Sequence, residues 1–367
     1  MVRIRRYTTS AAIHNAVENV SKLLETHDRS SYVLAQYIPE PARPAFLATR
    51  AFNIEINKIN DGGSNLGSVK SQASSAMSRQ MGASISDLKF KFWSDTLHKV
   101  FAGGDAPAEP IALLLRDSLE NDINLNIDHF LRFLQTRKQF LKGSTFSTTN
   151  DICAYGEGTY SQLNYEVQAA LLSPSISPSV IKLLQRSMEL QGLVSDIAAH
   201  IGQATAVSSM ILGMQYYAQS QNRVTLPIDL MTKNDLSQEH LLRLAQGHIS
   251  NTSEQEEIRS KLKNVVFETA VTANDHILSA RSKLDTIKRE VERITNESDE
   301  KLIRTQSKKW KGGIPDVIFT PYMVAIPTVL YLEKLQKLDF DVFAKKMQQK
   351  EWKLGYKSFR SYYSRSI

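Results

Sequence analysis

Cysteine is scarce in this sequence: Cys153 is the only one among 367 residues, which excludes an internal disulfide. A lone cysteine is more often a small buried hydrophobe than a nucleophile. The eight histidines include no His-x-x-x-His pair, and no Cys-x-x-Cys, Gly-rich phosphate loop or serine nucleophile elbow occurs. The sequence therefore predicts no zinc site, and we interpret His200, on an apolar stretch, as a core histidine.

Long apolar runs are missing too. The most apolar region, from Ala198 to Tyr217, is interrupted by several polar residues, whereas a membrane span needs roughly 20 predominantly apolar residues. We predict a buried helix there. With 42% hydrophobic residues, the chain has enough apolar side chains for a large core.

The body of the chain also lacks excess positive charge. The formal net charge is +7, but residues 1–17 carry +3 and residues 345–367 carry +6, so the remainder is slightly acidic. Nucleic-acid binding usually needs a basic stripe through the body of a domain. Nucleic acid is therefore not a predicted partner.

The N-terminal residues 1–25 are predicted to be a mitochondrial targeting segment. Their start contains Arg3, Arg5 and Arg6 together with hydroxyl residues, and no acid precedes Glu18. This is the composition of a transit peptide. A disordered basic tail is the alternative.

Apolar residues recur at the helical period through most of the chain, and no convincing pair of period-two strands appears, which predicts an all-α protein. The predicted helices include those at about 151–172, 179–217, 236–247, 254–295 and 328–337. The Ser- and Gly-rich residues 62–87 are predicted to be a flexible loop, and the charge-dense residues 288–313 a solvated helix end and linker. Neither marks a boundary, so residues 26–345 are predicted to form one domain.

The stretch RAFNIEINKIND at residues 50–61 raises the question of a site. As a helix, it places Arg50, Asn53, Asn57 and Asp61 on one face, opposite its apolar residues. Such a face is usually solvated. With acids in place of the asparagines it would suit a metal site.

Five separated segments, including this one, resemble squalene and phytoene synthases in order and approximate spacing. They are YIPEPARPAFLATRAFNIEI (37–56), LKFKFW (88–93), AYGEGTYSQL (154–163), AAHIGQATAV (198–207) and NRVTLPIDL (222–230). The resemblance covers about residues 30–345. It implies a single prenyltransferase-type, isoprenoid synthase-like helical bundle around a central cavity.

The resemblance also implies a chemistry. The family condenses prenyl diphosphates, with Mg²⁺ held by acids on two facing helices to neutralise the leaving group. The first acid motif falls here on Asn57, Lys58 and Asp61, and the second on Met214, Tyr217 and Ala218. One acid of the first motif survives, and the interval 197–228 contains none. A lysine about 4 Å from a divalent cation costs roughly 8 kcal/mol at an effective dielectric constant of about 20.

We therefore predict a pseudoenzyme of this superfamily, with no metal and no cofactor. Two alternatives stay open. One is an active prenyl diphosphate synthase or transferase. The other is a lipid-binding protein that uses the inherited cavity, where Lys58 holds a phosphate as a point charge.

A narrower resemblance is to the mitochondrial branch of this superfamily, the squalene/phytoene synthase-like assembly factors of respiratory complex I. It is carried by RAFNIEI, DLKFKFW, AAHIGQA, TLPIDL and the closing LEKLQKLDFDVF at 332–343. It implies a role in early complex I assembly, with complex I subunits or other assembly factors as partners. It also implies a peripheral position on the matrix side of the mitochondrial inner membrane.

The C-terminal residues 346–367 are predicted to form a basic aromatic helix. Its candidate membrane contacts are Lys350, Trp352, Lys353, Tyr356, Lys357, Phe359, Arg360 and Tyr363. Aromatic rings settle at the headgroup level while basic side chains extend toward anionic phosphates. The alternative is that the rings pack on the bundle.

Overall fold

The computed structural model describes residues 10–59, 84–104, 107–143 and 145–367. Within them the regular elements are helices, and no strand is formed. The α-helices are α1 (Ser10–His27), α2 (Arg29–Leu34), α3 (Arg43–Asn57), α4 (Ile85–Phe101), α5 (Pro110–Glu120), α6 (Ile127–Leu141), α7 (Thr149–Gly158), α8 (Tyr160–Leu171), α9 (Pro178–Gln185), α10 (Met188–Gln221), α11 (Ile228–Lys233), α12 (Gln238–Gln246), α13 (Thr252–Glu297), α14 (Lys301–Ser307), α15 (Asp316–Phe319), α16 (Ile326–Lys337) and α17 (Leu354–Ser364).

Polar side chains fix where several of these helices begin. Ser84 accepts a hydrogen bond from the backbone N–H of Asp87 at the start of α4, and Ser187 does the same for Leu190 at the start of α10. At α7, Thr148 and Asp151 form a complete capping box. Such caps satisfy backbone N–H groups that would otherwise lack partners.

The centre of the bundle is α10, which packs along the 46-residue α13 and crosses α7 and α8. An 18-residue window of α10 is apolar enough to cross a membrane, but 61% of that window is buried inside the fold. Glycines allow these close crossings. A Cβ added to Gly156 on α7 or to Gly202 on α10 would lie within 3 Å of a backbone atom of the neighbouring helix. The prediction of a buried helix between Ala198 and Tyr217 is confirmed.

One hydrophobic cluster extends from Ala16 to Leu354 and includes most of the core. The all-α prediction is thus confirmed, and so is the bundle architecture. The helix predicted over 151–172 is divided at Thr159, where the backbone leaves helical geometry between α7 and α8. The predicted linker 288–313 is mostly helical, since it contains the end of α13 and all of α14.

Two predicted segment boundaries differ from the structure. Residues 62–83 of the predicted loop lie outside the described residues, but Ser84 already caps α4. The predicted targeting segment 1–25 overlaps α1, whose Ala16, Val20 and Leu24 are buried against the bundle. A Ser-rich amphipathic helix fits both a transit peptide and a packed helix, because composition alone does not distinguish them.

Candidate functional site

A large cavity of about 500 Å³ lies between α3 and α10. The α3 wall contributes Arg50, Asn53 and Asn57, so the predicted polar face of RAFNIEINKIND is turned toward the cavity. Side chains of α1, α2, α8 and the start of α16 close the other sides. The face is therefore not simply solvated.

Hydrogen bonds occupy much of the α3 wall. Arg50 donates to the Ser31 hydroxyl at 2.8 Å and lies 3.6 Å from the Asp28 carboxylate. The amide of Asn57 donates to the side-chain oxygen of Asn53 at 2.8 Å. Polar groups of this wall thus pair with one another or with Asp28 and Ser31, and Asp28 is the only acid among the described residues that line the large cavity.

Of the predicted first motif, the structure describes Asn57 and Lys58, and both line the large cavity. The ammonium of Lys58 pairs with Glu55 on the same helix at 2.8 Å. Asp61 lies outside the described residues. The positive charge of Lys58 is thus already balanced by a neighbouring carboxylate.

The α10 wall differs from the predicted second motif. Met214 and Ala218 are buried in the core, whereas Tyr217 lines a second cavity of about 460 Å³, here called the tyrosine cavity. Tyr155, Tyr160 and Tyr216 line it too, and Asn57 and Lys58 border both cavities. Residues of α10 that face the large cavity are Thr205, Ser208, Ser209 and Leu212. No acid of α10 contributes to either wall.

The family model for squalene/phytoene synthase matches residues 24–353 of this chain. The chain belongs to the squalene/phytoene synthase family. Solved members share its fold at low sequence identity. A squalene synthase, HpnC, from Alicyclobacillus acidocaldarius aligns with a TM-score of 0.59 at 11% identity, covering 91% of this chain and 97% of that one. A dehydrosqualene synthase aligns with a TM-score of 0.60 at 11% identity, covering 95% and 97%.

Curated relatives carry a different kind of name. The Bos taurus protein called NADH dehydrogenase (ubiquinone) complex I, assembly factor 6, is 23% identical over 90% of this chain and 76% of its own length. The Homo sapiens protein of that name is 22% identical over 90% and 76%. The Drosophila melanogaster homolog is 22% identical over 87% and 75%. This member of the family is therefore similar to synthases in fold and to assembly factors in sequence.

The cavity of this family member does not offer the ligands that Mg²⁺ prefers. Hard divalent cations need several carboxylate or carbonyl oxygens. Asp28 is held by Arg50 and by the Ser31 backbone and hydroxyl, and Lys58 adds a positive charge. Among the residues described, no group of three His, Cys, Asp or Glu could hold a metal ion. The described walls therefore do not fit the metal cluster that the family's chemistry implies.

A buried arginine next to the tyrosine cavity was not anticipated from the sequence. Arg137, on α6, is only 1% exposed, and its Nη1 donates to the hydroxyls of Tyr155 at 3.3 Å and Tyr217 at 3.4 Å. Its guanidinium also lies 5.1 Å from the centre of the Phe140 ring. One arginine among the charged residues of an amphipathic helix gives no sequence signal of burial.

Cys153 contacts His276, which in turn contacts His200. No pattern in the sequence indicates this cluster, because the three residues lie far apart along the chain. The Cys153 sulfur lies 3.5 Å from Nε2 of His276, and Nδ1 of His276 lies 2.8 Å from Nδ1 of His200. Burial raises the pKa of the Cys153 thiol to about 11 and lowers the pKa of both imidazoles. A thiol with a raised pKa is a poor nucleophile. Its geometry and pKa thus agree with the interpretation of a buried small hydrophobe.

Proposed function

We propose that this chain is a mitochondrial assembly factor for respiratory complex I that acts without prenyl diphosphate chemistry. The observation that carries the proposal is the mismatch between the family fold and its cavity, where the described walls contain one acid and that acid is already paired. The names of the curated relatives support the partner. An active prenyl diphosphate synthase is the less favoured alternative.

The chemistry explains why the wall composition favours a pseudoenzyme. Ionisation of an allylic diphosphate leaves a multiply charged group that needs Lewis-acid neutralisation. The resemblance places Asn57 where the family has a carboxylate, and a neutral amide is a weaker ligand for Mg²⁺ than a carboxylate. Any lysine that replaced the metal would have to leave its own partner, Glu55.

The first prediction concerns catalysis. Purified protein supplied with Mg²⁺ and farnesyl or geranylgeranyl diphosphate should release diphosphate no faster than a heat-inactivated sample, because Asp28, the one acid of the described cavity walls, is already paired. A bacterial squalene synthase assayed in parallel provides the positive control. Release above the inactivated sample would restore the enzyme alternative.

The second prediction concerns partners and compartment. A C-terminally tagged chain should fractionate with mitochondria and co-purify subunits or assembly factors of complex I. If it acts early, those subunits should belong to partially assembled complex. A tagged matrix protein of similar size is the matched control. Recovery of the same proteins with both baits, or a cytosolic distribution, would contradict the proposal.

The proposed targeting signal is best placed before the packed part of α1. Removal of residues 1–25 would take Ala16, Val20 and Leu24 out of the hydrophobic cluster, and each lost apolar side chain costs about 1–5 kcal/mol. We therefore propose that cleavage leaves α1 intact. N-terminal sequencing of the protein recovered from mitochondria tests this, and a mature start beyond Ser10, inside α1, would contradict it.

We further propose that the protein is held peripherally on the matrix side of the inner membrane by α17. Tyr356, Phe359, Arg360 and Tyr363 are exposed on one side of α17, and Lys350 and Trp352 are exposed on the segment before it, whereas Lys353 and Lys357 are only partly exposed. The opposite side of α17 packs on the bundle through Leu354, Ser358 and Ser361. The long α10 is committed to the core. The corresponding experiment is given in the Discussion.

A further inference from the structure

The charge of Arg137 is not balanced by the protein around it. Among the described residues, no carboxylate lies within ion-pair distance of its guanidinium, and its Nε is buried without a hydrogen-bond partner. Arg365, which is equally buried, illustrates the usual solution, because it pairs with Asp316 and donates to the backbone oxygen of Lys311 at 3.1 Å. An unpaired buried cation is costly. Arg137 is therefore a candidate for an external anion.

Two tyrosines connect this cation to open space. The hydroxyls of Tyr155 and Tyr217 both accept from Nη1 of Arg137, and both residues line the tyrosine cavity. A phenol oxygen that accepts one bond still has its own proton to donate. Burial raises the pKa of Tyr155 above its ordinary value, so this proton is retained at neutral pH. The pair therefore offers two neighbouring O–H donors, each polarised by the same guanidinium.

The remaining charges of the cavities limit the ligand to about one negative charge. Lys58 is balanced by Glu55, and Arg50 by Asp28. The Arg223 guanidinium lies 4.7 Å from the centre of the Phe140 ring, but Arg223 is only half-buried, so water screens its charge. A diphosphate, with several negative charges and no metal ligands nearby, is a poor match. A monoanion is a good one.

The rest of the lining is largely apolar and aromatic, with Met210, Leu212 and Tyr216 among its residues. We propose that the tyrosine cavity binds an amphiphilic carboxylate, whose two oxygens accept from Tyr155 and Tyr217 while its chain lies along this lining. The carboxylate supplies the counter-charge that Arg137 lacks. The site works without a metal and differs in charge from a diphosphate site. It is independent of the proposed role in complex I assembly.

The test uses decanoate as the probe and Arg137→Met as the principal variant. For the wild-type protein, decanoate should bind by calorimetry and raise Tm by roughly 3–6 °C at a hundredfold excess over Kd. Arg137→Met should lower the affinity roughly ten- to hundredfold. It should leave Tm without ligand unchanged or higher, because it removes a buried charge that has no carboxylate partner.

Tyr217→Phe provides a milder variant that keeps the ring and removes only the hydroxyl. Tyr217→Phe should weaken decanoate binding. Tyr165→Phe should not, because Tyr165 does not line the tyrosine cavity and its hydroxyl donates to Glu157 at 2.8 Å. Decanol, which has the chain without the charge, should bind much more weakly than decanoate.

Several results would overturn the proposal. Equal affinity of wild type and Arg137→Met would assign the arginine a purely structural role, as would a large loss of Tm in that variant with unchanged decanoate binding. Stronger stabilisation by inorganic diphosphate than by decanoate would reject the monoanion. Stronger stabilisation by dioctanoyl phosphatidylglycerol would replace the carboxylate with a phosphodiester lipid.

Discussion

Replacing Gly202 with alanine should destabilise the protein by about 2–4 kcal/mol, which is at or above the usual cost of overpacking a core. A Cβ at this position would lie 2.2 Å from the Ser161 hydroxyl oxygen and 2.4 Å from the Ser161 backbone nitrogen. Rotation of a side chain cannot relieve a clash with backbone atoms, so α8 itself would have to move away from α10. The free energy of unfolding from urea titration, followed by circular dichroism, is the measurement.

Gly192 is the matched control because it lies on the same helix. A Cβ there meets nothing within 4 Å, so Gly192→Ala should stabilise the protein by about 0.5–1 kcal/mol through the lower flexibility of the unfolded chain. A loss in Gly202→Ala no larger than about 0.5 kcal/mol would show that α8 and α10 are not closely packed at Ser161. The glycine of AAHIGQATAV, Gly202, would then not be required for the packing of α10.

Serine in place of four exposed aromatic residues, Trp352 just before α17 and Tyr356, Phe359 and Tyr363 within it, should abolish binding to vesicles that contain cardiolipin. Trp352 is 82% exposed, and Tyr356, Phe359 and Tyr363 are more than half exposed, so they are free to enter a headgroup layer. This arrangement is expected of an interfacial helix, in which aromatic rings and basic residues act together. Co-sedimentation with vesicles, with and without cardiolipin, is the measurement.

The cations that flank the aromatic stripe should set the salt dependence. Lys350 and Arg360 are exposed, whereas Lys357 pairs with Glu333 at 3.0 Å. Each basic residue near an anionic surface contributes on the order of 1 kcal/mol. Replacing Lys350, Lys353 and Arg360 with glutamine should therefore reduce binding about a hundredfold at low salt.

Phe92→Ser serves as the control, since Phe92 is 46% exposed on α4, outside the aromatic stripe. It should sediment with cardiolipin vesicles as the wild-type protein does. Two results would contradict the membrane proposal: equal sedimentation of the control and the four-serine variant, or binding that is indifferent to salt and lipid charge. A change of Tm in the four-serine variant would be a separate sign of misfolding, and none is expected for exposed residues.

Much of the fold was predictable because helical periodicity depends on local pattern. The long helices α10 and α13 match the predicted 179–217 and 254–295 apart from the break before Met188 and a few residues at the ends. That break is created by Ser187, which caps α10 and also donates to Glu290 at 2.8 Å. The contact with Glu290 joins residues more than a hundred positions apart, so the periodic pattern contains no trace of it.

The site was predictable on one wall and not on the other. Arg50, Asn53 and Asn57 line the large cavity as the polar face of α3 suggests, because i, i+3 and i+4 spacing fixes which residues share a helix face. On α10, the packing of the helix within the bundle decides which residues face the cavity, and helical periodicity alone does not encode that packing. Met214 and Ala218 accordingly turn into the core. Arg137 was missed because burial of a charge is a tertiary property.

Arg365 has a consequence for how the whole molecule would rest on a bilayer. Its guanidinium pairs with Asp316, and its Cζ lies 4.9 Å from the centre of the Phe319 ring. The backbone oxygen of Ile367 accepts a hydrogen bond from Nε of Arg281 at 2.6 Å. These contacts fix α17 against rotation about its own axis. A tethered but mobile helix would let the bundle tumble above the lipid, whereas a fixed helix would give it a single tilt. One surface of the bundle would then always face the membrane, and a second, constant surface would be presented to an incoming subunit.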